Sequence, residues 1–433
     1  MYNKLRSNIL FLITLLPLAA IQADWIPPQA VSAIGQIALA PQIATDPLGN
    51  TVAIWYAFDG VNYAVFSATQ ISGGAEWSLP VRLSEAGQDA YFPAISVDAL
   101  GNAVGVWFHY NGSHYSIKAA TLPLGGHWSS SSEISSYGAD AYNPQVATDS
   151  LGNAVAVWFQ FDGSQYSVQS AFLPHGGYWS TPANVSNFGV DATYPVVGID
   201  GLGNAYAAWN QYDGTNYTIE TASLPFRGSW SYPTTVSNTG SNAYNPQIAV
   251  NGPGDVVVSW YYYDGVNYII QAAAQPFRGN WSTPANLSDN GENASAAAIG
   301  IDSSGNAIAV WQIYNGTNYI IQSAHLPFGG AWSSPENIST FGVDAYDPAI
   351  AVNSSGDAVA VWYAYDGTNY VVKGATRAAG TSWSLVIELS DACENADRPQ
   401  VAIDAAGEVF VVWQDNANWA IVETEGNNLF VIV

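Results

Sequence analysis

A repeat of 51 residues constrains this chain more than any other feature of its sequence. A copy opens on a proline, replaced by Ala297 in the sixth copy, and its first tryptophan follows 14 residues later. A second tryptophan follows 21 residues after the first in copies two to seven, and one extra residue separates Trp55 from Trp77. A fixed period of this size indicates an array of similar supersecondary units. The first tryptophans are Trp55, Trp107, Trp158, Trp209, Trp260, Trp311, Trp362 and Trp413, and the second ones are Trp25, Trp77, Trp128, Trp179, Trp230, Trp281, Trp332 and Trp383.

Each copy reads as four short β-strands. In the copy that opens at Pro144, apolar runs alternate with turn residues, and Asp162-Gly163 is typical of a tight hairpin. The second run, AVAVW, is apolar on both of its faces, so both faces of the sheet need a cover. The predicted strands of this copy are 144–149, 154–158, 166–172 and 179–186.

The order of these strands in a sheet follows from one proline. Pro182 lies inside the fourth predicted strand. A proline lacks the N–H that a ladder needs, so it is tolerated on a sheet edge. We therefore expect the fourth strand to be outermost and the first strand to be innermost. A repeated four-stranded antiparallel sheet covered on both faces is a β-propeller blade.

The ends of the chain give the number of blades. Eight copies carry a first tryptophan, but the eighth ends at Val433 before a full fourth strand. The segment 25–32 has the pattern of a fourth strand with no copy before it. We therefore predict an all-β fold, an eight-bladed β-propeller of four-stranded antiparallel blades whose ring is closed by the N-terminal strand. The tail 429–433 could compete for the same edge or add a fifth strand.

The N-terminus predicts export. Residues 1–23 combine a basic start, an apolar run and small residues before the cleavage point, which is typical of a signal peptide. We expect residues 24–433 to form a single propeller domain that is secreted, periplasmic or at the cell surface. No membrane insertion is expected after cleavage. One cysteine, Cys393, excludes an internal disulfide framework.

The charge of the chain excludes two classes of partner. Its formal net charge is -25, with 9 Lys and Arg against 34 Asp and Glu. Nucleic acid and anionic membrane surfaces would be repelled. The charge favours solubility for a surface rich in aromatic residues, and we expect a monomer.

The repeats resemble those of known propeller families. The pattern D-x-x-G-N-A-V-A-V-W followed by G-x-W-S resembles bacterial secreted proteins of the sialidase-like, BNR type, and the order of features is similar to kelch repeats. The BNR Asp-box needs S-x-D-x-G-x-T-W, whereas Leu-Gly-Gly126-His precedes Trp128. Kelch repeats need a glycine pair after the second strand, where this chain has tryptophan. The resemblance implies a fold and no active site.

A ligand site is predicted on one face of the ring. The turns between second and third strands share this face, which we call the hairpin face, with the links between blades. Its tyrosines could stack on sugar rings while its carboxylates bind hydroxyls. The structural alternative is that the Asp residues build turns and the aromatic rings brace them. The candidate ligand-binding residues are Asp59, Tyr110, Asp140, Tyr142, Asp162, Tyr212, Asp213, Tyr244, Tyr263, Asp264, Tyr346, Tyr365 and Asp366.

These observations favour a binding module for a glycan or a protein surface, with no cofactor and no metal. The histidines lack metal-ligand spacing, and His109 and His114 are expected at the surface. The first alternative is a glycoside hydrolase or lyase of the sialidase-like propeller type, which should show one deep polar pocket with acids from one or two blades. Of the arginines, only Arg398 is predicted near the axis on the hairpin face. A self-assembling surface structural protein is the second alternative.

Overall fold

The structure is a computed structural model, and it describes residues 24–74, 76–289, 291–391, 395–416 and 420–427. The expected signal peptide 1–23, Cys393, Trp419 and the tail 429–433 lie outside these ranges, so what the sequence predicts for them stays a prediction. Within the described ranges the regular elements are β-strands. Those ranges contain no helix long and apolar enough to span a bilayer.

Eight antiparallel sheets form the eight blades, and the prediction of an eight-bladed propeller is confirmed. In each blade the first strand lies at one edge and hydrogen-bonds to the second, which bonds to the third. The first strands are Ala38–Thr45, Ala90–Val97, Ala141–Thr148, Ala192–Ile199, Ala243–Val250, Ala294–Ile301, Ala345–Val352 and Ala396–Ile403. The second strands are Thr51–Phe58, Ala103–Tyr110, Ala154–Phe161, Ala205–Tyr212, Val256–Tyr263, Ala307–Tyr314, Ala358–Tyr365 and Val409–Asp415.

The third and fourth strands complete each blade on its outer side. The third strands are Tyr63–Gln70, Tyr115–Leu122, Tyr166–Leu173, Tyr217–Leu224, Tyr268–Gln275, Tyr319–Leu326, Tyr370–Arg377 and Ala420–Asn427. The fourth strands of blades one to seven are Val81–Arg82, Ser132–Glu133, Ala183–Asn184, Thr234–Thr235, Ala285–Asn286, Glu336–Asn337 and Ile387–Glu388. In the eighth blade this place is taken by Asp24–Trp25 and Gln29–Ala30.

The fourth strand is much shorter than predicted. In the third blade it is Ala183–Asn184, and Pro182 stands directly before it rather than inside it. The chain meets the third strand once earlier, where the Ser180 N–H donates to the Phe172 carbonyl at 2.8 Å and Ser180 Oγ accepts from the Phe172 N–H at 3.0 Å. The missing N–H of Pro182 interrupts the ladder between these two points.

The first tryptophans form the core between blades. All eight are 0% exposed. Trp158 packs with Ala156 of its own blade and with Val106 and Ile117 of the preceding blade, and Trp179 covers the same cluster. These tryptophans therefore serve packing, because a large ring buried between two sheets ties each blade to its neighbour.

Every first strand has a β-bulge near its start, and the bulge brings one residue of each blade to the axis of the ring. In the third blade the register shifts between Tyr142 and Gln145, and Asn143 has a φ of 48°. The strand thus begins three residues before the predicted start at Pro144, because pairing resumes on both sides of the bulge. We call the residues with positive φ at these bulges the bulge residues. They are Ala40, Phe92, Asn143, Tyr194, Asn245, Ala296, Asp347 and Arg398.

The N-terminal strand closes the ring as predicted. Trp25 pairs with Gly426, and Gln29 pairs with Glu423 of the last third strand. The Ile421 N–H donates to Ser32 Oγ at 2.8 Å. A Cβ at Gly426 would lie 3.0 Å from the Trp25 ring, so the absence of a side chain there lets the two strands meet.

Candidate ligand-binding site

The hairpin carboxylates build the turns on which they stand. Asp162 Oδ1 accepts from the N–H groups of Ser164 at 2.8 Å and Gln165 at 3.0 Å. Such backbone bonds favour the charged form and lower the pKa of Asp162, which is fully exposed. One oxygen of each carboxylate therefore serves the fold, as the structural alternative predicts. The same paired bonds and lowered pKa values occur at Asp59, Asp213, Asp264 and Asp366.

The link carboxylates tie one blade to the next. Asp140 Oδ1 accepts from the Tyr115 N–H of the preceding blade at 2.8 Å. In later links Asn242 and Asn293 accept the equivalent bonds from Tyr217 and Tyr268. Because an amide replaces the carboxylate without change of geometry, the fold needs an acceptor at this position and does not need a charge.

The tyrosines of the hairpin face form a belt of ring contacts. Tyr142 lies 5.1 Å from Tyr115 and 5.7 Å from Phe159, centroid to centroid, and burial raises its pKa to about 12. The Tyr212 hydroxyl donates to the Gly214 carbonyl at 3.0 Å, which braces the hairpin. Tyr110 and Tyr263 make the same hydroxyl bond, Tyr244 and Tyr346 make ring contacts like those of Tyr142, and Tyr365 packs on Tyr370.

All thirteen predicted residues therefore lie on the hairpin face, distributed over blades one to five and seven. We call the seven hairpins and their aromatic belt the rim. Its tyrosines are partly exposed; Tyr365 is 42% exposed, so ring edges reach solvent. The residues are not brought together at one point, and none of them lines the cavity at the axis. That they bind a ligand stays a prediction.

A cavity of about 550 Å³ opens at the axis on the hairpin face, and we call it the axial mouth. It is lined by first-strand residues of blades one and five to eight. Four of the bulge residues contribute, namely Ala40, Ala296, Asp347 and Arg398. Deeper along the same strands the walls carry Gln42, Gln247 and Gln400.

One carboxylate and one guanidinium line the axial mouth, and a second carboxylate, that of Asp397, lies near them. Burial among the channel walls raises the pKa of Asp347, although its carboxylate is reached by water, and Arg398 opposes this rise. Burial also raises the pKa of Asp397, against a hydrogen bond from Asn416 and the charge of Arg398. The pKa of Tyr363 is raised by burial and by both carboxylates. The prediction that Arg398 lies near the axis on this face is confirmed.

The eight bulge residues form a ring around the axis, which we call the bulge ring. Two bulge residues outside the axial mouth, Phe92 and Tyr194, are aromatic. Phe92 is 49% and Tyr194 is 50% exposed. Phe92 stacks on Phe108 at 5.8 Å, and Tyr194 lies 5.6 Å from Phe159, so both rings are held by neighbours. In a ring of eight blades the fourth lies across the axis from the eighth, which places Tyr194 opposite Arg398.

Apart from Arg398, the bulge residues were not predicted from the sequence. Most repeated positions attract attention because they are alike in every copy, whereas the residue before each opening proline changes from copy to copy. Aligning the eight copies on that proline would have shown this variation. The bulge itself, which brings these residues to the axis, carries no such pattern.

One surface prediction is wrong. His109 is 4% exposed, and burial lowers its pKa to about 4, with a smaller contribution from Lys118. It stands on the second strand at the place of Gln160 and Gln211, whose side chains accept from buried tryptophan Nε1 atoms. The position faces the interior between blades, so its residue is enclosed whatever its polarity.

The opposite face of the ring carries turns and two cation–π contacts. Asp149, which is 3% exposed, accepts from the N–H groups of Leu151 and Asn153 and so caps its own turn. The guanidinium of Arg227 lies 5.1 Å from the centroid of Phe226, and Arg278 repeats this at 4.9 Å. Among the described residues, no group of three His, Cys, Asp or Glu is placed to hold a metal ion.

The comparisons with known proteins show a similarity of fold. No family model and no curated protein matches the sequence. Among solved structures, a polysaccharide lyase described as a PL25 ulvan lyase is 10% identical with a TM-score of 0.51, covering 92% of this chain and 95% of its own. A protein of unknown function from Dyadobacter fermentans is 9% identical with a TM-score of 0.46, covering 94% and 99%. A neuraminidase-like protein of subtype N10 from a little yellow-shouldered bat virus is 12% identical with a TM-score of 0.40, covering 66% and 94%. At these identities the likeness concerns the fold alone.

Proposed function

We propose that this protein binds glycans through its hairpin face, with the axial mouth as the binding site. The observation that carries the proposal is the bulge ring, where one backbone position holds Asp347 and Arg398 on one side and exposed aromatic rings on the other. Carboxylate and guanidinium groups bind neighbouring hydroxyls, and an aromatic ring stacks on the C–H face of a sugar.

The rim supports the same ligand class. Its partly exposed tyrosines surround the mouth, and its hairpin carboxylates have lowered pKa values, so they are charged acceptors at neutral pH. Since the motif recurs in seven hairpins, weak rim contacts with a long or branched glycan would add by avidity. The ulvan lyase with the similar fold acts, by its name, on a polysaccharide. We take from it the ligand class and leave its reaction aside.

A glycan-active enzyme is the second candidate, and one observation favours it. Asp347 and Asp397 come from adjacent blades, and burial raises the pKa of each. A carboxyl group with a raised pKa is the kind of group that serves as a general acid in glycoside chemistry. Release of product from a saccharide would separate this candidate from a binding module.

The testing experiment uses residues 24–433, produced without the proposed signal peptide. The protein is applied to a glycan array and to a panel of glycosidase and polysaccharide substrates. We expect glycan binding without turnover, and Arg398→Ala should weaken it at least about tenfold, as loss of a charged hydrogen bond does.

Arg227→Ala is the matched control, because it removes the same charge from the opposite face. Equal loss of binding in both variants would contradict a site at the axial mouth. Turnover that disappears in Asp347→Ala would establish the enzyme candidate, and binding to a protein in the absence of any glycan would replace glycan by protein as the ligand.

A further inference from the structure

In the bulge ring the backbone conformation is the same in all eight blades, whereas the side chain varies. All eight bulge residues have φ between 45° and 52°, a region that L side chains disfavour and that Asn and Asp tolerate best among them. Asn143, Asn245 and Asp347 follow that preference, whereas Phe92, Tyr194 and Arg398 do not. The fold requires the backbone conformation and leaves the side chain open. Large or charged side chains held at a disfavoured φ, around the axis of the ring, point to a binding role.

The charges at the axial mouth are unevenly distributed. Arg398 is the one cation among the residues that line the cavity, and Asp347 lines it as well. Asp397, the residue before Arg398, does not line the cavity, but it lies near Asp347 and Arg398 and adds a second carboxylate beside the mouth. The whole chain carries a net charge of -25. A carboxylate or sulfate that approaches the mouth therefore meets a repulsive potential that one guanidinium does not offset.

We propose that the axial mouth accepts the uncharged end of a glycan and discriminates against ends that carry carboxylate or sulfate groups, an inference that rests on the proposed glycan-binding function. Asp347 accepts from one sugar hydroxyl and Arg398 donates to its neighbour. The small residues Ala296 and Ala40, in the blades on either side, leave room for the sugar ring. Tyr194, across the axis, offers its exposed ring to the apolar face of the next sugar unit.

The test uses an array of matched pairs, in which neutral oligosaccharides stand beside the same chains bearing uronate, sialate or sulfate at the end. The neutral chain that binds best and its acidic counterpart are then titrated by calorimetry. We expect a preference for the neutral chain of about tenfold or more at low salt. The preference should shrink in high salt, because exposed charges are screened.

Three variants locate the origin of the preference. The double substitution Asp347→Asn and Asp397→Asn should raise the ratio of acidic to neutral affinity about tenfold, since two repelling charges are removed. Tyr194→Ala should weaken binding of the neutral chain by loss of stacking. Asp89→Asn is the matched control: it removes a carboxylate from the same face, and the repeat already carries Asn at this link position in other blades.

The outcomes distinguish this inference from the proposed function. A wild-type preference for the acidic chain would overturn the inference and leave glycan binding intact, with Arg398 as its anchor. A shift in Asp89→Asn as large as in the double variant would assign the preference to overall charge and overturn the role of the mouth. Failure to bind any glycan on the array would overturn the proposed function, and the inference with it.

Discussion

The tryptophan layer and the axial mouth are both built from positions that recur in all eight copies, yet they treat the repeat in opposite ways. The layer has tryptophan at every copy, each 0% exposed between two sheets. The bulge residues, four of which line the mouth, are of six types at one backbone conformation. Where a side chain fills a closed space, packing fixes its identity. Where only the backbone is fixed, the side chain is free to serve a ligand.

The blade that closes the ring differs from the other blades at one buried position. In the third blade Ser170 of the third strand pairs with Ala183 of the fourth strand at this register. In the closing blade Gln29, from the other end of the chain, donates to Glu423 at 2.6 Å. Glu423 is 1% exposed, and burial raises its pKa to about 7. The closing blade thus places an ionisable group where the third blade has the hydroxyl of Ser170.

Deleting residues 24–33 should have the largest effect on stability. The segment covers the last third strand, buries Val31 and packs Trp25 on the core between the last two blades. Its loss would expose a sheet edge and open the ring. We expect the melting temperature of the truncated protein to fall further than in any single variant below. A melting temperature equal to that of residues 24–433 would contradict closure by this strand.

Trp209→Ala should destabilise the layer by about 3–5 kcal/mol, as expected for a large buried aromatic side chain. Arg398→Asn, at the mouth, should change stability by less than about 1 kcal/mol, because Asn suits a positive φ and the side chain is exposed. Denaturant unfolding monitored by tryptophan fluorescence measures both. Similar losses in the two variants would remove the distinction between layer and mouth.

Glu423→Gln should remove the buried ionisable group from the closing blade. Because the folded pKa of about 7 lies above the unfolded value near 4.5, the folded state favours the protonated acid. Stability is therefore full below about pH 4.5 and is lost as the pH rises toward 7, by an amount on the order of 3 kcal/mol. The Glu423→Gln variant should be more stable than the wild-type protein at pH 8, and its stability should change less with pH between about pH 4.5 and 7. The neighbouring Glu425, whose pKa burial also raises, would leave a smaller slope.

A pH profile of melting that is identical in wild type and Glu423→Gln would show that this carboxylate does not govern the closure. Gln70→Ala is a useful comparison, because it removes the amide that donates to Glu425 at 3.2 Å without touching Glu423.

The double substitution of Tyr212 and Tyr263 by Ala should have the smallest effect on binding. Each removes a hydroxyl bond to a hairpin carbonyl and one rim contact. We expect weaker binding to a multivalent glycan by loss of avidity, with binding of a single chain at the mouth retained. Surface plasmon resonance on dense and sparse glycan surfaces separates the two. Loss of binding on both surfaces would move the site from the mouth to the rim.

The sequence predicted the fold well because period and spacing are properties of the whole array. The blade count, the closing strand and the buried tryptophans all follow from them. It failed where local geometry departs from pattern: the bulge at Asn143 lengthens the first strand, Pro182 shortens the fourth, and His109 is polar yet enclosed. The axial mouth escaped prediction because its residues differ from copy to copy and converge only through the bulge.

The most direct test of the account is the stoichiometry of binding. The neutral oligosaccharide that binds best on the array is titrated by calorimetry into residues 24–433 and into Arg398→Ala. We predict one site per chain, weakened at least about tenfold in the variant. Several equivalent weak sites that persist in Arg398→Ala would contradict a single site at the axial mouth and return binding to the rim.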